Sequence, residues 1–144
     1  FHSGMSHGDI LNWIATHNSR NDEVLWVVAD SENDSCLGHV GLYKIDYRIR
    51  SAEFAILLGK QDRWGQGWGK AITKYVVEYG FTQLNMNRIS LTVLENNKRA
   101  LKLYETLGFV KEGVLRCAQF KDGKYLDLCC YALLRDEYDA QLRT

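Results

Sequence analysis

Trp64-Gly65-Gln66-Gly67-Trp68-Gly69 is the segment of this 144-residue chain whose residue types point most directly to chemistry. Glycines let a backbone come close to a ligand and turn its N–H groups toward an anion. A helical pattern opens directly behind them, and a helix N-terminus adds unsatisfied donors and the positive end of its dipole. Lys60, Arg63, Lys70 and Lys74 gather about the same turn, against one acid, Asp62. The combination is a local phosphate-attracting patch, although the same residues also suit a plain strand-to-helix turn with solvated lysines. Two common phosphate patterns fail here. A P-loop needs G-x-x-x-x-G-K-[ST], but Lys70 is followed by Ala71, and Trp64 stands five residues before Gly69. The dinucleotide fingerprint G-x-G-x-x-G puts Lys70 where its third glycine belongs. Other chemistries find less support. His2, His7, His17 and His39 form no triad-like arrangement and read as structural or exposed. Cys36, Cys117, Cys129 and Cys130 have neither C-x-x-C spacing nor a histidine at metal spacing, so no metal site is expected.

The elements that must carry this segment follow from periodicity. Ile10, Leu11, Trp13 and Ile14 recur at helical spacing, so a helix is expected from Ser6 to His17 with Ser6 as its N-cap. Val24–Asp30, Cys36–Asp46 and Ser51–Gly59 read as three strands joined by short polar turns, an antiparallel meander. After the glycine-rich turn, Ala71, Ile72, Tyr75, Val76 and Tyr79 mark one face of an amphipathic helix that ends between Gly80 and Leu84. Arg88–Leu94 is a strand, so strand, helix and strand form a crossover between parallel strands. A second helix is expected over Asn97–Leu107, stopped by Gly108 as a C′ glycine. FVKEGVLR and YLDLCCYALL are two further strands joined through FKDGK. The fold class is α/β with a mixed sheet.

Composition sets the outer limits. The length suits one domain over residues 1–144, large enough to bury a core without disulfides or metal. Eighteen basic against eighteen acidic residues leave no surplus for general nucleic-acid binding. No apolar run approaches the ~20 residues that span a bilayer. The cysteines are read as reduced thiols of a cytoplasmic protein. The polar start FHSGMSHGD lacks the apolar core of a secretory signal. Because Phe1 is not Met, a longer gene product is expected.

Trp64-x-x-Gly67-x-Gly69 resembles the pyrophosphate loop [QR]-x-x-G-x-[GA] of the GNAT superfamily of N-acetyltransferases, with Trp64 in place of Gln or Arg. Tryptophan there is similar to the branch holding ribosomal-protein, spermidine and amino-sugar (pseudaminic acid pathway) acetyltransferases. A second family motif, V-x-x-x-N-x-x-A-x-x-L-Y-x-x-x-G-F, matches Val93, Asn97, Ala100, Leu103, Tyr104, Gly108 and Phe109 at every fixed position. The resemblance covers about Glu23 to Tyr138. It implies a GNAT-type mixed, mostly antiparallel sheet with helices on both faces and a splayed parallel strand pair. The family's first strand and helix would precede Phe1, and Phe1–Trp13 resembles its second helical region.

The resemblance also implies a reaction: the acetyl group of acetyl-CoA passes to a primary amine by direct attack, through a tetrahedral intermediate. A lysine-like amine is ~99.9% protonated at neutral pH, and freeing it costs about 4–5 kcal/mol. A carboxylate near the acceptor can offset part of that, and Glu53, the lone charge in SAEFAILLG, is the candidate. A phenol can protonate a departing thiolate, and Tyr104 matches the family tyrosine with that role. Without the motif, Tyr104 would read as a core aromatic. Asn97 resembles the family's cofactor-contacting asparagine and also suits a helix N-cap. The expected coenzyme contacts are Ile56, Leu57 and Leu58 for the pantetheine arm, Trp64 to Lys70 (Trp64, Gly65, Gln66, Gly67, Trp68, Gly69, Lys70) for the pyrophosphate, and Asn97 and Tyr104. Implied acceptors are a polyamine, a nucleotide-linked amino sugar or a protein N-terminus, and homodimerisation is left open. Two other readings compete: a non-catalytic acyl-CoA-binding module, and an interaction module that pairs an exposed strand edge with another chain.

Overall fold

The computed structural model describes residues 11–17, 22–30, 36–58 and 67–143. Their elements are β1 (Leu11–His17), β2 (Val24–Asp30), β3 (Cys36–Asp46), β4 (Ser51–Leu58), α1 (Trp68–Thr82), β5 (Arg88–Leu94), α2 (Lys98–Thr106), β6 (Val110–Lys121), β7 (Lys124–Leu134) and α3 (Arg135–Leu142). The strands form one sheet in the order β1-β2-β3-β4-β5-β7-β6. All neighbours are antiparallel except β4 and β5, the parallel pair that the crossover through α1 requires.

Two elements depart from the expected pattern. Leu11–His17 is a strand paired with β2 in register from Leu11↔Asp30 to His17↔Val24, not a helix. A short apolar run satisfies either period, and pairing along the whole of β2 decides for strand. This removes Leu11–Trp13 from the expected second helical region; Phe1–Ile10 lie outside the described residues. The other departure is α3, an addition. Its sequence RDEYDAQL has no apolar stripe. It is started by Glu137, whose Oε1 accepts from the Leu134 N–H at 2.9 Å, and held by Tyr138 stacked on Phe81 at 4.7 Å.

The core lies on one face of the sheet. On β4, Ala52 and Phe54 are buried while Glu53, Ala55 and Leu57 are exposed, the alternation that the strand period dictates. Leu42 sits opposite Phe54, and Ile89 beside Ala52, so these residues share the buried face. α1 covers them with Ile72, Val76, Val77 and Phe81, all buried. Each large apolar side chain so buried contributes about 1.5–3 kcal/mol. Gly80 lets α1 come down onto the sheet: a Cβ there would lie 2.7 Å from Ile89 Cδ1 and 3.1 Å from Leu42 Cδ1. α2 lies against the same face through Tyr104, whose ring meets Phe54 edge-on at 6.1 Å. Among the described residues no helix lies on the opposite face.

The helix caps are those the residue types favour. Asn97 Oδ1 accepts from the Ala100 N–H at 3.2 Å and caps α2. Gly108, with φ +96°, stands just beyond the end of α2.

Candidate active site

β4 and β5 pair only at Ser51↔Arg88, Ala52↔Ile89 and Glu53↔Ser90. Past those three rungs the strands diverge, and β4 runs on to Leu58 and β5 to Leu94 with no pairing between them. The gap is an open cleft of about 990 Å³, walled by Phe54–Leu57 of β4 and Leu91–Leu94 of β5. Its backbone edges are the N–H and C=O groups of two strands that have lost each other, ready to pair with an extended ligand.

Because the cleft passes through the sheet, its two mouths differ. Asn97, Ala100 and Tyr104 of α2 line the helix side. Glu53 lies on the opposite face of β4, and Tyr43, Lys44, Asp22 and Glu23 are also part of the lining. Glu53 projects from the exposed face of β4, and its Oε2 is 3.6 Å from Lys44 Nζ. The Tyr43 hydroxyl is held above the ordinary tyrosine range by burial and, second, by the Glu23 carboxylate. Tyr104 is 6% exposed, its ring wedged edge-on between Phe54 and Phe109, and burial pushes its pKa up to about 12. Thus the structure brings Glu53 and Tyr104 to one cleft, at opposite mouths.

Behind Tyr104, the Tyr131 hydroxyl donates to Glu105 Oε2 at 2.7 Å and ties α2 to β7. This bond, together with burial, raises Tyr131 to about 12.

The expected phosphate end is placed by topology. α1 returns the chain from the far end of β4 to the start of β5, so it runs antiparallel to both. Tyr75 and Tyr79 flank Trp26 at 6.4 and 5.0 Å, and Trp26 is in register with Val40 and Ile56. Trp68 stands seven residues earlier, about 10 Å up the axis, toward the end where the strands splay. The N-cap is Gly67, with φ +78° and no side chain to cap, and the first turn holds no acid. The first N–H groups of a helix have no partner within the helix itself, and here no acidic side chain of the first turn faces the positive end of the dipole. Lys70 and Lys74 are exposed beside it, while Trp68 and Gly69 are buried.

The predicted residues therefore divide. Glu53, Ile56, Leu57, Asn97 and Tyr104 line the cleft. Leu58 ends β4 at its rim, and Gly67, Trp68, Gly69 and Lys70 form the start of α1. Trp64, Gly65 and Gln66 lie outside the described residues, as do Lys60, Asp62 and Arg63. Sequence reading missed Asp22, Glu23, Tyr43 and Lys44. Asp22 and Glu23 only precede a strand, and the charge of Lys44 inside an apolar strand was the available signal. No group of metal-ligating side chains occurs among the described residues. No helix of the described residues is long and apolar enough to cross a membrane. All four cysteines are free thiols.

The acetyltransferase (GNAT) domain family matches residues 3–110. An uncharacterized N-acetyltransferase p20 of Bacillus licheniformis is 36% identical over 107 residues, 74% of this chain and 60% of that protein. The spermidine N(1)-acetyltransferase of Vibrio cholerae is 36% identical over 122 residues, 85% of this chain and 69% of the relative. A crystal structure of the Vibrio cholerae spermidine N-acetyltransferase in complex with CoA and spermine superposes with a TM-score of 0.76 at 36% identity, covering 83% of this chain and 70% of that one. The chain thus spans between three fifths and seven tenths of the length of these proteins. A parallel strand pair that splays after three rungs, a glycine-started helix above it, and a match over residues 3–110 agree: the chain belongs to the GNAT acetyltransferase family.

Proposed function

We propose that this chain transfers the acetyl group of acetyl-CoA to a primary amine of a polyamine, with coenzyme and acceptor meeting inside the cleft from opposite mouths. The observation that carries this reading is the cleft itself, with Tyr104 on its helix side and Glu53 on the other. The residues present fit the coenzyme. Ile56–Leu58 pair with β3 on one side only, and their other edge suits an extended pantetheine arm, while the start of α1, Gly67 to Lys70, suits a pyrophosphate. Acetyl-CoA supplies an activated thioester. An N–H from the β4 edge is available to the carbonyl oxygen as charge builds there. Asn97 caps α2 with its side chain and so is fixed at the cleft wall.

Glu53 receives the proton that the acceptor ammonium must lose before its nitrogen can attack. Tyr104 lines the helix side of the cleft, where its hydroxyl would meet the leaving sulfur. A coenzyme thiolate resembles a cysteine thiolate with pKa about 8.5, so complete transfer from a phenol at about 12 is uphill by roughly 5 kcal/mol. The lower-cost role is a hydrogen bond donated by the Tyr104 hydroxyl to the sulfur as it takes up charge, rather than full protonation.

The acceptor reading rests on the carboxylates of Asp22, Glu23 and Glu53 in the cleft lining and on the spermine complex of the Vibrio cholerae relative. Free thiols and the use of coenzyme A support a cytoplasmic setting. We read residues 1–144 as one domain. The test is a screen of spermidine, spermine, an amino sugar nucleotide and a peptide N-terminus, followed by release of free CoA thiol. Turnover with the polyamines is expected; turnover with the peptide or sugar alone would overturn the acceptor class, and none with any amine would favour a binding module.

A further inference from the structure

We propose that Lys44 sets the affinity of the site for its acceptor: its ammonium occupies Glu53 in the free protein, and an acceptor ammonium must displace it. The inference rests on the reading of Glu53 as the group that meets the acceptor amine. Three observations carry it.

The first is a break in the strand. Pairing of β3 with β4 jumps from Tyr43↔Glu53 to Asp46↔Ser51, so one residue is extra. Alternation after buried Leu42 would put Lys44 on the core face. Instead Ile45 is buried and Lys44 is exposed. The bulge rotates Lys44 out, and bulges next to active sites commonly re-aim a side chain in this way.

The second is strain. Lys44 has φ +50°, a left-handed conformation that glycine adopts at no steric cost and lysine does not. A lysine kept in that conformation points to a use for its side chain.

The third is where the side chain arrives. Nζ lies 3.6 Å from Glu53 Oε2, and both residues line the cleft. Their side chains are 77% and 52% exposed, so the pair is wet and separable.

A lysine side chain is an alkyl primary ammonium, the same chemical group as the end of a polyamine. It therefore competes with the acceptor one for one. A monoamine only replaces it and gains no net ion pair. A polyamine replaces it and brings a second charge to a cleft also lined by Asp22 and Glu23. Displacing Lys44 costs every acceptor the same; a polyamine offsets that cost with its second contact, and a simple amine has nothing to set against it.

The test compares wild type, Lys44→Met, Lys44→Arg and a charge control, Lys102→Met on the exposed side of α2, using butylamine and spermidine as acceptors. Lys44→Met keeps the apolar stem and the strained backbone and removes the charge. Its KM for butylamine should fall about two- to fivefold, the scale of an exposed ion pair, with the KM for acetyl-CoA unmoved. The KM for spermidine should fall by a similar factor, because both acceptors displace the same ammonium, and Lys44→Arg should restore the wild-type values. An unchanged or raised butylamine KM in Lys44→Met, or an equal shift in Lys102→Met, would overturn the inference while leaving acetyl transfer intact. Should wild type turn over no amine, the functional reading fails by itself. Calorimetric binding of butylamine to the CoA-loaded proteins then decides the displacement: tighter binding to Lys44→Met supports it, and equal binding overturns it.

Discussion

Tyr104 combines two properties: its ring is packed as core, and the residue is part of the cleft wall. Replacing it with phenylalanine removes only the hydroxyl, and the contacts with Phe54 and Phe109 remain. Acetyl-CoA affinity should stay within a factor of two. The values of kcat and kcat/KM should fall together by about 10²–10³, the usual worth of one preorganised donor. Wild-type kcat in the variant would return the residue to packing alone. The sign of its pKa shift sets the pH dependence. Burial raises Tyr104 from 10 to about 12, so the folded state prefers the neutral phenol. Its stabilising effect is complete below pH 10 and is lost as pH rises toward 12. Tyr131 shifts in the same direction, and unfolding monitored by tyrosinate absorbance should become easier across that window. Glu53→Gln has the opposite profile. Its activity should be most impaired near pH 6–7 and recover as pH approaches the acceptor amine's own pKa of about 10. A uniform defect at every pH would mean that Glu53 binds the acceptor without taking its proton.

The elements explain what could be read in advance. Val24–Asp30, Cys36–Asp46 and Arg88–Leu94 are β-branched or aromatic runs bounded by polar turns, and their observed limits are those the sequence indicates. α1 was visible in its apolar period, and α2 in its motif. α3 was not, because RDEYDAQL has no stripe; a hydrogen bond from Leu134 to Glu137 and a stacked Tyr138 create it. Glu53 and Tyr104 stand out as candidates through chemistry and family resemblance, whereas Lys44 does not. A bulge changes which face a residue takes, and only the partner strand reveals it. Gly67 is the test at this scale. A Cβ there would meet nothing within 4 Å, so space is no obstacle, but φ +78° strains any other residue. Gly67→Ala should lower stability by about 1–2 kcal/mol and tilt the start of α1. Acetyl-CoA affinity measured by calorimetry should fall at least tenfold. Unchanged affinity would move the pyrophosphate away from this turn.

At the scale of the molecule, coenzyme binding should complete the sheet. With acetyl-CoA at a hundred times its dissociation constant, the folded state gains about 2.7 kcal/mol. Hydrogen exchange should slow at Phe54–Leu57 on adding coenzyme and stay as before at the Ser51–Glu53 rungs. Uniform slowing would locate the ligand elsewhere. The short pairing of β4 with β5 also bears on how the chain holds together. Among the described residues, three rungs, with the Arg50 carbonyl accepting from the Asn87 and Arg88 N–H groups beside them, are the backbone pairing between β1–β4 and β5–β7. The first half is a meander of sequence-adjacent strands, and the second is the β6–β7 hairpin with β5 added along β7. The sheet has a seam, and the mortar across it is the helix layer. Gly80 of α1 seats on Leu42 of one half and Ile89 of the other, and Arg135 ties the end of that helix down through the Phe81 carbonyl at 2.9 Å. Unfolding as a single cooperative unit therefore depends on α1. Loosening that helix should let the halves melt apart as two foldons, each keeping its own hairpins, before either dissolves.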